Sequence, residues 1–325
     1  MAEGPPARER TNVNHPFDVR PAADHDANQL SEFLNACTLV DQGIARSSPE
    51  DMRARIHRDG TDPALDSFVV RDDQRIVGFA HAWRDDPDEV KFFARTHPEE
   101  QGRGVGALLM ELCEHRAAHV PATRITTTTW AADAAAPPLL VGRGYRPVRY
   151  FMKMEIGAAD VPREPSWPPE VNRSTLAAYP AAATTLYQAW SEAFAGHWGQ
   201  SDESEVEFWN ERRDSKIGAA FPFDPTLWLV ALRDGNVLGF CLCEAGTSEC
   251  TLIGRVSEVG VVPAHRGGGL GYALLVAGLH ELRSRGAKTI VLDVDTENET
   301  SALRLYEKVG MSAKPAFTIW EKSTE

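Results

Sequence analysis

The chain has 325 residues, more than one hydrophobic core usually organises, so two domains are the first expectation. Its 42% hydrophobic and 25% charged residues are those of an ordinary globular protein. With 47 acidic and 34 basic residues the net charge is −13, which argues against nucleic acid as a partner, since that binding rests on neutralising phosphates with Lys and Arg.

The first 14 residues or so are polar and proline-rich and are expected to be disordered. They lack the basic-then-apolar pattern of a signal peptide, and no apolar run reaches the ~18 residues of a membrane span. A cytoplasmic protein without a membrane partner is therefore expected. Five cysteines are too few and too scattered for a disulfide framework. Cys241 and Cys243 share one face of a strand-like run, and Cys250 does not complete a metal-ligand spacing, so reduced packed thiols and no metal are expected.

Along the chain the sequence repeats itself. Ile76-Val-Gly78-Phe79 recurs as Val237-Leu-Gly239-Phe240, and Gln101-Gly-Arg-Gly104-Val-Gly106 recurs as Arg266-Gly267-Gly268-Gly269-Leu270-Gly271. Gly144, after Val141-Gly-Arg, recurs as Gly310, after Glu307-Lys-Val. Three landmarks in one order at nearly constant offset imply a duplication, with halves at 15–157 and 171–325. Residues 158–170 carry Pro162, Pro165, Pro168 and Pro169, which favour an extended connector.

Each half reads as a strand, helices, several strands, a glycine turn, a helix and closing α/β elements, a mixed α/β class. In the second half, 184–196 has helical apolar spacing. Trp228–Ala231 and Val237–Cys243 read as strands joined at Asp234-Gly235. Val256–Val262 is a strand, 270–285 a helix, Ile290–Val294 a strand and Ser301–Val309 a helix. Thr318–Glu321 is expected to close this half.

Within it, Val259-Gly-Val261-Val-Pro263 runs through Ala-His-Arg266 into Gly267-Gly268-Gly269-Leu270-Gly271-Tyr272: an apolar strand, a glycine turn and a helix start. Glycines admit a close ligand, and a helix N-terminus offers unpaired N–H groups to phosphate. No Gly-x-Gly-x-x-Gly leads on to an acidic strand end and no Gly-Lys-Ser/Thr closes the loop, so dinucleotide-fold and P-loop readings fail. The segment resembles motif A of the GNAT acetyltransferases, Arg/Gln-x-x-Gly-x-Gly/Ala, through Arg266, Gly269 and Gly271. Asn298 through Ala302, Leu305, Tyr306, Gly310 and Met311 resembles the family's motif B. Together the two halves resemble a tandem GNAT protein of the mycothiol synthase type, from Val19-Arg20-Pro21 to Trp320-Glu-Lys.

The resemblance implies an acetyl-CoA-dependent N-acetyltransferase acting on a small-molecule primary amine by direct attack, as a monomer or homodimer. Residues 266–272 and Asn298 would hold the cofactor, and pantetheine would pair with the backbone of Val259 and Val261. The Val261 N–H would polarise the thioester, and Tyr306 would protonate the departing thiolate. Glu258 is a candidate general base, although alternation puts it on the face opposite Val259 and a solvated edge charge competes with that role. His197 and Trp198, in Phe194-Ala-Gly-His-Trp-Gly, are candidates for the acceptor site, with a structural pair as the alternative.

The first half keeps Gln101, Gly104 and Gly106 for acetyl-CoA, but Leu140 stands where Tyr306 does, and Pro137-Pro138 is expected to interrupt the corresponding helix. That half is expected to be catalytically silent, because leucine has no proton to give. A decarboxylase or acyltransferase acting on carrier-protein thioesters, and a non-catalytic acyl-CoA sensor, are the other classes this fold allows.

Overall fold

The computed structural model describes residues 16–43, 45, 47–198, 204–213, 222–246, 252–297 and 302–324. The first half opens with β1 (Asp18–Pro21), α1 (Ala27–Gln42), α2 (Pro49–Ile56), α3 (Pro63–Asp66) and β2 (Ser67–Asp72). It continues through β3 (Arg75–Trp83), β4 (Glu89–Thr96), α4 (Val105–Ala117), β5 (Arg124–Trp130), α5 (Ala136–Gly142) and β6 (Arg146–Gly157). The second opens with β7 (Asn172–Thr175), α6 (Ala183–Phe194), α7 (Glu205–Arg213), β8 (Trp228–Arg233) and β9 (Asn236–Ala245). It ends with β10 (Ile253–Val261), α8 (Leu270–Ser284), β11 (Thr289–Asp295), α9 (Ala302–Val309) and β12 (Ser312–Ser323). The proline-rich start, Cys250 and Asn298 lie outside the described residues.

Local chemistry accounts for several boundaries. Ser48 caps α2 by accepting the Asp51 N–H at 3.1 Å, while Asp51 accepts the Ser48 N–H at 2.8 Å. Asp234 and Gly235, at φ 52° and 81°, make the tight turn that joins β8 to β9. Pro137 and Pro138 do not interrupt α5, contrary to the sequence expectation. They occupy its first turn, where no intrahelical N–H is required, and the helix runs on to Gly142.

Alternation along the strands builds a layer of helices on each face. Val70 and Val77 pack with α4, whereas Val69, Ile76 and Phe79 pack with α1 and α2. In the second half Leu229, Ala231 and Cys241 pack with α8, whereas Val230, Phe240 and Leu242 pack with α6 and α7. Cys241 and Cys243 are buried free thiols, their sulfurs 3.6 Å apart. The 158–170 connector is docked: Ala158 and Val161 are buried in the second core, and Pro162 C=O lies 2.8 Å from His280 Nε2.

Among the described residues the strands form one 12-stranded sheet in the order β1-β2-β3-β4-β5-β12-β6-β11-β10-β9-β8-β7. Thr318–Glu321 therefore does not close its own half. It lies in β12 between β5 and β6, both from the first half, while β6 pairs with β11 of the second. Alternation specifies a strand and its faces but not the edge it joins. Trp320 accordingly belongs to the first half's core, and its Nε1–H donates to Thr129 Oγ1 at 2.8 Å.

Candidate active site

Two features of the sheet create the site. Parallel pairing of β10 with β11 extends only from Ile253–Thr289 to Arg255–Val291, and beyond it the strands part. The first half repeats this, with β4 and β5 paired from Glu89–Arg124 to Phe92–Thr127. The Val262 N–H donates to Leu238 O on β9 at 3.0 Å, so by alternation the Val261 N–H points the other way, into the opening. Val259 shares that orientation.

At the end of β10 the chain turns through Gly267 and Gly269, at φ 84° and 83°, and Gly269 is the N-cap of α8. A Cβ added at Gly267, Gly268 or Gly269 would meet no atom within 4 Å, so the space in front of the loop is open. The free N–H groups and positive end of a 15-residue helix face it, which suits a pyrophosphate. Leu270 can serve a ligand only through its backbone, because its side chain is buried in the core. Tyr272 packs against Lys308, whose Nζ lies 5.1 Å from the ring centroid. The Arg266 side chain turns inward: Nε donates to Val261 O at 3.0 Å and Nη2 to Ala193 O at 2.9 Å. It fastens the end of α6 to the end of β10.

Tyr306 lies on α9, 7% exposed, and burial raises its phenol pKa well above the usual value. Its carbonyl accepts the Met311 N–H at 3.0 Å, just as the Leu140 carbonyl accepts the Tyr145 N–H at 3.0 Å. Gly310 and Gly144 follow at φ 97° and 86°. Leu140 is thus the spatial counterpart of Tyr306, and it lines a cavity of about 280 Å³ with Thr96, Gln101, Gly104, Gly106 and Thr127.

On the α6 side of the sheet, Glu258 receives a 2.7 Å hydrogen bond from Arg212, whose guanidinium sits 4.0 Å from the Phe208 ring centroid. Its other oxygen, Oε2, is buried without a hydrogen-bond partner among the described residues. His197 and Trp198 follow α6; the His197 ring stands edge-on to Phe194 at 5.1 Å, and Trp198 is 44% exposed. The Arg149 guanidinium lies 5.4 Å from the Trp198 ring centroid, and its Nε is 3.6 Å from Asp295. Sequence reasoning missed Arg149, Arg212 and Asp295. The exchanged strand β6 brings in Arg149, a neighbour that no spacing in the second half announces. Among the described residues no group of three or more His, Cys, Asp or Glu side chains could hold a metal ion. No helix among them is long and apolar enough to cross a membrane.

Comparison with known proteins accords with this geometry. The family model "Acetyltransferase (GNAT) family" matches residues 28–145 and 183–311, one stretch in each half. The chain belongs to the GNAT acetyltransferase family. Among similar GNAT proteins, the mycothiol acetyltransferase of Nocardiopsis dassonvillei is 32% identical over 91% of both chains. That of Streptomyces griseus is 30% identical over 92% of both. A GCN5-related N-acetyltransferase from Sphaerobacter thermophilus superposes with a TM-score of 0.75 at 25% identity, covering 96% of this chain and 97% of its own. A tandem GNAT protein of the clavulanic acid pathway shares the fold, with a TM-score of 0.73 at 16% identity over 95% of this chain and 99% of its own. The protein is therefore a tandem GNAT acetyltransferase that resembles mycothiol synthase.

Proposed function

We propose that the second half transfers an acetyl group from acetyl-CoA to the primary amine of a small molecule, by direct attack within a ternary complex. Acetyl-CoA would supply the activated thioester and its thiolate leaving group. The loop 266–272 holds the pyrophosphate through backbone N–H groups, and the opening beside Val259 and Val261 receives the pantetheine arm. The Val261 N–H stabilises charge developing on the thioester oxygen, a contribution of about 3 kcal/mol for a preorganised donor. Tyr306, kept protonated by burial, donates to the sulfur. Glu258, His197 and Trp198 border the acceptor's approach. The observation that carries this reading is the pairing of an open glycine loop with Tyr306 in the second half, where the first half has the same loop but Leu140. The first half, through Gln101, Gly104 and Gly106, holds acetyl-CoA without turning it over.

The names of the Nocardiopsis and Streptomyces relatives, which match over nine-tenths of the chain, make mycothiol lacking its acetyl group the first acceptor to test. CoA release would be followed over a panel of that compound, glucosamine, an aminoglycoside and a lysine peptide. Turnover of one class, lost in Tyr306→Phe, is the expected result. Tight acetyl-CoA binding with no turnover of any amine would overturn the reading.

A further inference from the structure

His197 follows α6 and lies within electrostatic reach of Arg266, which comes after β10, and of Asp295, at the end of β11. Its backbone N–H donates to Phe194 O at 2.9 Å, closing a turn at the end of α6. That end is held to the catalytic strand by the Arg266 bonds to Ala193 O and Val261 O. Ala193 also packs against Gly260, where an added Cβ would stand 3.1 Å from the Ala193 Cβ. Arg149, from β6, stands over Trp198 at the same corner and is paired with Asp295 and Glu297. The His197 Nε2 is buried and has no hydrogen-bond partner among the described residues. A buried ring nitrogen in that condition is free to meet a bound amine or a water.

We propose that His197 is the general base that deprotonates the acceptor ammonium. This rests on the acetyltransferase reading of the second half. Burial, followed by the Arg266 cation, lowers the imidazole pKa, and Asp295 opposes them only in part, so the ring is neutral and able to accept a proton at neutral pH. Glu258 is the rival base: its Oε2 is likewise buried without a partner among the described residues, while its Oε1 is held by Arg212, so the two candidates are separated by the test below. In the step, Nε2 takes one proton from the ammonium and later releases it to solvent. The freed lone pair forms the C–N bond to the acetyl carbon as the C–S bond breaks. Sulfur takes the Tyr306 proton, and the second proton lost by nitrogen restores the phenol. One proton is released per turnover.

The test is the pH dependence of kcat and kcat/KM for wild type, His197→Ala, His197→Gln and Glu258→Gln, with the panel amine that wild type acetylates fastest. Acetyl-CoA affinity, measured alongside, reports folding. His197→Ala should lower kcat by about 10²–10⁴-fold at unchanged acetyl-CoA affinity, flatten the acidic limb and recover part of its rate with added imidazole. A wild-type rate and acidic limb in both His197 variants would overturn the proposal. So would a limb abolished by Glu258→Gln alone, or a rate loss that imidazole does not restore and that leaves the limb in place. If wild type acetylates no amine of the panel, the functional reading fails first and this inference with it.

Discussion

Gly104 and Gly269, 165 residues apart, hold the same left-handed backbone, φ 88° and 83°, and each caps the helix that starts its half's glycine loop. Gly102 and Gly267 repeat the match two residues earlier, at 78° and 84°. Between them the halves differ, Arg103 in one and Gly268 in the other. The duplicated loop thus separates glycines that the backbone requires from one that it does not.

Gly269→Ala should cost about 1–2 kcal/mol of stability, because an L side chain is strained in that conformation. Gly268→Ala should change stability by no more than about 0.5 kcal/mol, since its φ is not positive and its surroundings are open. Thermal unfolding of both variants, with and without acetyl-CoA, checks the contrast.

Tyr306→Phe should lower kcat on the order of 10²-fold or more while leaving acetyl-CoA affinity and melting temperature nearly unchanged. Because burial raises the phenol pKa above 10, the wild-type rate should show no alkaline loss from this group up to pH 9. A falling limb below pH 9 that disappears in Tyr306→Phe would contradict that assignment.

Arg212 bridges α7 and β10 through Glu258, with side-chain exposures of 15% and 24%. Arg212→Ala should therefore destabilise the protein by about 1–3 kcal/mol, the range for a charged hydrogen bond lost from a partly buried partner. Chemical denaturation of the single and double variants with Glu258→Gln gives the coupling. A coupling near zero would mean that the pair contributes nothing.

His81 is buried, its Nδ1 2.8 Å from Ser67 Oγ, and burial lowers its pKa from 6.5 to about 4. The unfolded chain binds this proton more readily than the folded one. The His81 contribution is thus fully present above pH 6.5, is lost as pH falls from 6.5 towards 4, and is constant below that. The loss should be about 3 kcal/mol, and His81→Gln should flatten that segment of the stability–pH curve.

Residues whose placement depends on near neighbours were legible in the sequence. The glycine loop, the α8 start and the Leu140–Tyr306 correspondence follow from spacing, and the matching carbonyl bonds at Tyr145 and Met311 repeat that spacing in space. Pro137-Pro138 misled because two prolines break a helix interior but start a helix equally well, and one sequence does not say which turn they occupy. The partner of β12 and the arrival of Arg149 beside Trp198 were out of reach. Both depend on pairing between residues more than a hundred positions apart.

The exchange of β6 and β12 also sets a timetable. Thr129 pairs with Thr318, so one side of β5 stays bare while nearly the whole second half is synthesised, roughly 10–40 s at typical elongation rates. During that interval the first half has no Trp320 to fill its core and exposes an unpaired strand edge, the condition that invites chaperones and misassembly. Strand β12, made after most of the second half, thus completes a core whose other strands were made much earlier. Truncation within β12 should accordingly loosen amide protection around Thr126–Thr129 and Tyr145, in a half whose own sequence is intact.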